Sequence, residues 1–244
     1  MLSLPDQLPL TEYAFFLDFD GTLVEHVTIP DKVVVGANVI PILKKLQQQT
    51  NHAVALVSGR SIQELDQFLS PLQFAASGSH GAEIRHFNGE ILSVAKAPKS
   101  LIDAQNQLEK FIASNPGLIL ETKPFGIAIH FRQAPHLSEQ VRIMAEKICA
   151  LTPAELAIQA GKMIYELKLN GVDKGRAINT LLTQAPFVER KPVFIGDDLT
   201  DEDGFKTVNQ LDGLSIKVGE GETHAQARFA NVRQCLAWLS GLTN

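Results

Sequence analysis

The sequence predicts an α/β protein, a core built on a parallel sheet and interrupted by a smaller α+β insert. Two observations carry that reading. Three short apolar runs, Ala14-Phe15-Phe16-Leu17-Asp18, Val54-Ala55-Leu56-Val57-Ser58 and Val193-Phe194-Ile195-Gly196-Asp197, each end in a polar residue. Apolar runs without alternation are strands covered on both faces. The middle of the chain alternates instead, as an antiparallel sheet with one wet face does.

Taken in order, Val39 to Gln48 and Ser61 to Leu69 read as helices after the first and second runs, and Ala177 to Leu182 as a helix before the third. Strands alternating with helices make a parallel sheet. Leu214 to Val218 is expected as a further strand, and the stretch from His224 through Leu239 as partly helical. The insert is bounded at 98–169, leaving 1–97 and 170–244 as the core. Within it, Gly126 to Arg132 puts Ile127, Ile129 and Phe131 on one face and Ala128, His130 and Arg132 on the other. Met163 to Leu169 repeats the pattern, with Ile164, Glu166 and Lys168 on the polar side. Leu101, Leu108, Phe111 and Ile112, and then Val141, Met144, Ala145, Ile148 and Cys149, recur at helical spacing, so two helices cover the apolar face.

Composition narrows the function. With 22 Lys and Arg against 27 Asp and Glu in 244 residues, the chain carries a net charge of −5 and no basic run. It repels phosphate polymers at long range, so no nucleic-acid partner is expected and any anionic ligand must be held by local cations. No membrane partner is expected either, for want of a signal-like or spanning apolar segment. Cys149 and Cys235 form no CxxC pair. A cytoplasmic location and a monomer are the expectations.

Acid groups gather at the strand ends, where ligands of open α/β sheets bind. Asp18-Phe19-Asp20-Gly21-Thr22-Leu23 sets two carboxylates two positions apart, a pattern that suits a hard cation such as Mg²⁺ and also a turn with Asx hydrogen bonds. Gly196-Asp197-Asp198-Leu199-Thr200-Asp201-Glu202-Asp203 is the second acidic site. Thr200 with Asp203 resembles a capping box, which makes Asp201 to Asp203 partly structural. Asp197 and Asp198 precede the helix, so Asp197 is assigned as a metal ligand and Asp198 to its surroundings. Ser61 with Glu64 forms another capping box and leaves Ser58 free to serve a phosphate at a helix start, or merely a turn. Lys174 is a cation in the first turn of a helix, where it opposes the dipole unless an anion or a carboxylate cluster lies nearby. A solvated surface lysine is the other reading. No GxxxxGK[ST], GxSxG or HExxH motif occurs.

Asp18-x-Asp20-Gly-Thr, Ser58, Lys174 and Gly196-Asp197-Asp198 together resemble the four motifs of the haloacid dehalogenase (HAD) superfamily, in order. Val57 to Ser61, Gly78-Ser79-His80-Gly81-Ala82-Glu83, Glu121-Thr122-Lys123, His130 to Pro135, Gly161-Lys162 and Glu166-Leu167-Lys168 are similar to bacterial trehalose-6-phosphate phosphatases over nearly the whole chain. Leu169, where relatives often carry proline, and Pro124, where they carry glycine, depart from the pattern. The resemblance implies a Rossmann-like HAD core with a cap of the C2B type, a sugar phosphate substrate and Mg²⁺. It implies Asp18 as nucleophile, Asp20 as general acid and base, and Ser58 and Lys174 on the phosphoryl oxygens. The cation falls to Asp18, Asp197 and the Asp20 backbone carbonyl, with Asp198 and Asp201 close by. Gly59, Arg60, His80, Glu121, Lys123, His130, Arg132, Glu166 and Lys168 are implied as substrate-binding. The same chemistry on another sugar phosphate, a receiver-like phospho-aspartate domain and an inert Mg²⁺-binding module remain as alternatives.

Overall fold

A computed structural model of the chain describes residues 4–27, 32–93, 97–161 and 163–243. Lys162, one of the positions in the resemblance, lies outside them. In chain order the elements are β1 (Tyr13–Leu17), α1 (Val39–Gln49), β2 (Val54–Val57), α2 (Ile62–Leu69), β3 (Ala75–Gly78), β4 (Glu83–Arg85) and β5 (Ile91–Ser93). They continue with α3 (Lys99–Ala113), β6 (Ile119–Lys123), β7 (Gly126–His130), α4 (Ser138–Leu151), β8 (Leu156–Gly161) and β9 (Ile164–Leu169). The chain closes with α5 (Lys174–Leu182), β10 (Lys191–Gly196), α6 (Glu202–Gln210), β11 (Leu214–Val218), β12 (Ala227–Phe229) and α7 (Val232–Leu242). Two compact units result: Met1–Val94 with Asp173–Asn244, and Ala95–Val172, where the sequence predicts 98–169 for the insert.

The first unit is an eight-stranded sheet in the order β12-β11-β10-β1-β2-β3-β4-β5. The strands run parallel from β12 to β3, and β4 and β5 extend that edge antiparallel. Alternate residues of the central strands go to opposite faces. Phe15, Leu17, Leu56 and Ile195 join one core with residues of α1, α2 and α7. Ala14, Phe16, Val57 and Phe194 join the other with residues of α5 and α6. Burying each large apolar side chain stabilises by about 1.5–3 kcal/mol, and β1, β2 and β10, covered on both faces, carry no polar side chain through their buried length. The first polar side chains are therefore Asp18, Ser58 and Asp197, at the carboxyl ends of these three adjacent strands.

Local chemistry fixes where the helices begin. The Ser61–Glu64 box is formed, with the Glu64 N–H donating to Ser61 Oγ and the Ser61 N–H to Glu64 Oε2. The Thr200–Asp203 box expected from the sequence is not what starts α6. The box that forms is Asp198 with Asp201, at the 3₁₀ turn Leu199–Asp201 that leads into α6; Asp201 Oδ2 accepts from the N–H groups of Asp197 and Asp198 at 2.9 Å each and so satisfies donors the strand end leaves open. At the C-terminus, helix begins only at Val232, capped by Asn231. Residues expected as helix before it instead pair as β12 with β11.

The second unit is a four-stranded antiparallel sheet, order β6-β7-β9-β8. Ile127, Ile129, Leu167 and Leu169 are buried, and α3 and α4 pack against these strands. The registers Glu121↔Ala128↔Glu166 and Lys123↔Gly126↔Lys168 bring the polar residues of three strands into adjoining rows.

Candidate active site

Asp18 follows β1 directly, its N–H still donating to Ile195 O at 2.9 Å. That places a nearly buried carboxylate at the carboxyl end of the central strand, 4% exposed. Lys174, in the first turn of α5, sends Nζ to Asp18 Oδ1 at 2.7 Å and Asp201 Oδ1 at 2.6 Å. Its position against the helix dipole is thus matched by two carboxylates. Oxygens of Asp18, Asp197 and Asp201 lie within 4.8 Å of one another.

Three carboxylates close to one ammonium leave an excess of negative charge, which adds to burial in disfavouring a charged Asp18. Burial pushes the Asp18 carboxyl well above the usual carboxylate range; Lys174 pulls against this, and Asp201 and Asp197 add to it. Burial likewise raises Asp201. Burial alone would lower Lys174, but Asp18 and Asp201 reverse that and hold its ammonium above the ordinary lysine value.

Asp197 is fixed at several points. Its carbonyl accepts from Lys217 Nζ at 2.6 Å, its N–H is on Asp201, and its Oδ2 accepts from His26 Nε2 at 2.7 Å. The hydrogen bond to Asp197 pushes His26 up to about 9, so the ring is charged at neutral pH. Gly21 underlies this contact: at φ +78°, a Cβ there would fall 2.3 Å from Asp197 Oδ2 and 2.6 Å from His26 Nε2. Asp197 Oδ1 is left buried with no hydrogen-bond partner. An orphaned buried carboxylate oxygen is costly without a cation. Asp201 accepts three hydrogen bonds, from Lys174 and two N–H groups, and Asp18 accepts from Lys174 and, at 3.4 Å, from the Thr22 hydroxyl, so the oxygen that most plainly calls for a hard divalent ion is Asp197 Oδ1, with Asp18 beside it. Asp198 is exposed.

The neighbouring turn carries Ser58, Gly59 and Arg60. Ser58 is 1% exposed, and its Oγ accepts from the Arg60 N–H at 3.2 Å. The left-handed residues Ser79 and His80 lie over this turn, with Ser79 N–H on Arg60 O at 2.8 Å and His80 N–H on Ser58 O at 3.0 Å. A Cβ on Gly59 would fall 2.6 Å from the His80 ring. Glu83 Oε2 accepts from the Ile62 N–H at 3.0 Å, tying β4 to the start of α2. Arg60 directs its guanidinium onto both oxygens of Asp20. In the second unit, Lys123 Nζ meets Glu166 at 3.3 Å and His130 Nε2 meets Glu121 at 2.8 Å, while Arg132 is exposed and Lys168 half-buried. His26 and Lys217 were missed in the sequence. Lys217 had a signal, a cation inside the apolar strand Leu214-Ser215-Ile216-Lys217-Val218; His26 had none.

Gly196 offers a direct check of how tightly Asp201 is held. A Cβ there would fall 2.3 Å from Asp201 Cγ, whereas one at Gly241, in the last turn of α7, meets nothing within 4 Å. Gly196→Ala is expected to cost about 1–3 kcal/mol, and Gly241→Ala to be neutral or to stabilise by up to about 1 kcal/mol, read from denaturant midpoints. Equal midpoints for the two variants would contradict the packing described.

The trehalose-phosphatase family model matches residues 16–234. The trehalose-6-phosphate phosphatase of Escherichia coli K12 is 43% identical over 242 residues, covering 96% of this chain and 91% of its own. A probable trehalose-phosphate phosphatase of Sinorhizobium fredii is 37% identical, over 86% of this chain and 79% of its own. Among solved structures, a trehalose-6-phosphate phosphatase related protein superposes with a TM-score of 0.77 at 30% identity, over 94% of this chain and 96% of that one. A HAD-superfamily phosphatase from Bacteroides thetaiotaomicron shares the fold, with a TM-score of 0.67 over 92% of each chain at 13% identity. No helix among the described residues is long and apolar enough to cross a membrane. With its acids, hydroxyl and lysine at the carboxyl end of a mostly parallel sheet, the chain belongs to the trehalose-phosphatase family and has the fold of the HAD superfamily.

Proposed function

We propose that the chain hydrolyses trehalose 6-phosphate to trehalose and phosphate through an aspartyl-phosphate on Asp18, the last step in making trehalose. The observation that carries this reading is the buried Asp18 carboxylate, clamped by Lys174 beside the orphaned oxygen of Asp197, in a chain of this family. In the first half-reaction an Asp18 oxygen bonds to phosphorus as the bond from phosphorus to the sugar oxygen breaks. The departing oxygen keeps the electron pair and takes a proton from Asp20. In the second, Asp20 takes a proton from water as its oxygen bonds to phosphorus, and the Asp18 carboxylate is released with phosphate.

Lys174 and the Ser58 hydroxyl hold phosphoryl oxygens. Mg²⁺ bound by Asp18, Asp197 and the Asp20 carbonyl would neutralise the repulsion between carboxylate and phosphate dianion. Asp198 and Asp201 support that site from outside it. We assign sugar recognition to the polar rows of the second unit, Glu121, Lys123, His130, Arg132, Glu166 and Lys168, with Gly59 and His80 shaping the phosphate end. Paired donors and acceptors suit a hydroxyl-rich ligand. The unit then acts as a cap that also keeps water from the phospho-enzyme. We place the chain in a reducing cytoplasm, where two free cysteines such as Cys149 and Cys235 are ordinary.

The test is phosphate release from a panel of mono- and disaccharide phosphates, with and without Mg²⁺. Trehalose 6-phosphate with Mg²⁺ is expected to be the best substrate; a better one elsewhere in the panel would overturn the assignment. Lys123→Ala, Arg132→Ala and Glu166→Ala are expected to lower kcat/KM on trehalose 6-phosphate by about 10²-fold and on an aryl phosphate by less than about threefold. Equal losses on both would remove the sugar-reading role.

A further inference from the structure

We infer that Arg60 is the positioning residue for Asp20, acting on the reaction through that carboxyl; the inference rests on the phosphatase reading above. Both oxygens of Asp20 accept from one guanidinium, Oδ2 from Nε at 2.6 Å and Oδ1 from Nη2 at 2.8 Å. Such a planar fork fixes the plane of a carboxylate as well as its distance.

Arg60 is the anchored member of the pair. Its side chain is 9% exposed against 28% for Asp20. The guanidinium carbon lies 4.8 Å from the centre of the Phe68 ring and 5.7 Å from that of Phe19, and Nη1 lies 3.6 Å from Glu64 Oε1. Phe19 and Phe68 pack on each other with centroids 5.6 Å apart. The slot is therefore made by the residue between the two aspartates and by one face of α2. The main chain of Arg60 is tied as well, its N–H on Ser58 Oγ and its carbonyl accepting from Ser79.

Asp20 has to deliver a proton to the leaving oxygen and later take one from water. Its reach depends on the direction of its O–H bond, and small errors of placement cost rate steeply. The fork uses one lone pair on each oxygen and leaves another on each to carry the proton. Arg60 keeps its own protons at any working pH, so it holds and does not relay. A lysine offers a point charge and cannot hold the plane. The turn that presents Ser58 to phosphate thereby also orients the acid that serves the leaving group.

The experiment compares kcat/KM, which reports steps through leaving-group departure, on trehalose 6-phosphate and p-nitrophenyl phosphate. A nitrophenolate leaves without a proton; a sugar alkoxide needs one. Arg60→Lys and Arg60→Gln are expected to lose about 10²-fold or more on the sugar phosphate and less than about fivefold on the aryl ester. In an Asp20→Asn background, Arg60→Gln is expected to cost nothing further on either. Uniform loss on the two esters, no loss, or full additivity with Asp20→Asn would overturn the inference, and so would failure of both single variants to melt cooperatively, since the pair would then serve the fold. A wild-type chain that releases phosphate from neither ester sinks the phosphatase reading itself, a result distinct from these.

Discussion

Asp18→Asn is expected to lower phosphate release by about 10⁴-fold or more while leaving the chain folded with an unchanged or higher melting temperature. The loss follows from chemistry: an amide oxygen is no nucleophile toward a phosphate dianion, and groups acting as one unit fail together when one is removed. The stability follows from the electrostatics of the cluster. Asp18 is one of three carboxylates around Lys174, with its carboxyl held high by burial and by Asp201 and Asp197. A neutral isostere relieves that crowding, and Lys174 keeps Asp201 at 2.6 Å. The rise in melting temperature on adding Mg²⁺ should shrink with one ligand gone. Retention of a tenth of wild-type turnover would remove Asp18 as nucleophile.

Lys174→Met is expected to abolish turnover and also to destabilise. The Lys174 side chain is 3% exposed, and its ammonium is hydrogen-bonded to two carboxylates that are themselves buried. Removing one partner of a buried ion pair costs about 3–5 kcal/mol, because the remaining charges lose their compensation. For a chain of this size that is a fall of about 10 °C in melting temperature. Asp201→Asn added to Lys174→Met should recover part of it, as should Mg²⁺. A Lys174→Met chain that melts with the wild type would show that the ammonium is not the counterion of this cluster.

The apolar strands at the centre of each sheet were legible in the sequence and most of the rest were not: β11, next to an edge, was read, whereas the interior strands β3 and β4 were missed, β4 being short and β3 made only of alanine, serine and glycine. β1, β2 and β10 are covered on both faces and print as continuous apolar runs; β7 and β9, flanked on both sides, print as clean alternation. β5 and β12 at the edges of the large sheet and β6 and β8 at the edges of the small one left no such mark, because an edge strand is short or half-wet and its composition is less constrained. The same logic divides the site. Asp18, Ser58 and Asp197 stand out against the apolar runs they terminate, and Lys174 against its helix dipole. Arg60, written as one polar residue in a turn, gives no sign of the carboxylate it holds 40 positions away. The hub role of Asp201 was hidden by its place among acids that a helix start welcomes for their charge alone.

The central pairing of β1 with β10, Tyr13 opposite Lys191, sets an order of events during synthesis. The nucleophile emerges early, whereas its ammonium partner lies 156 positions downstream and Asp201 later still. Until they arrive, the growing polypeptide can pair β1 only with β2 and must leave the opposite edge bare and Asp18 without its countercharge. Contacts closed over such spans are slow to form and leave sticky surface exposed meanwhile. A ribosome stalled before residue 191 would thus carry a product with five of the eight strands of the large sheet, a cluster still lacking Asp197 and Asp201, and an open flank inviting aggregation.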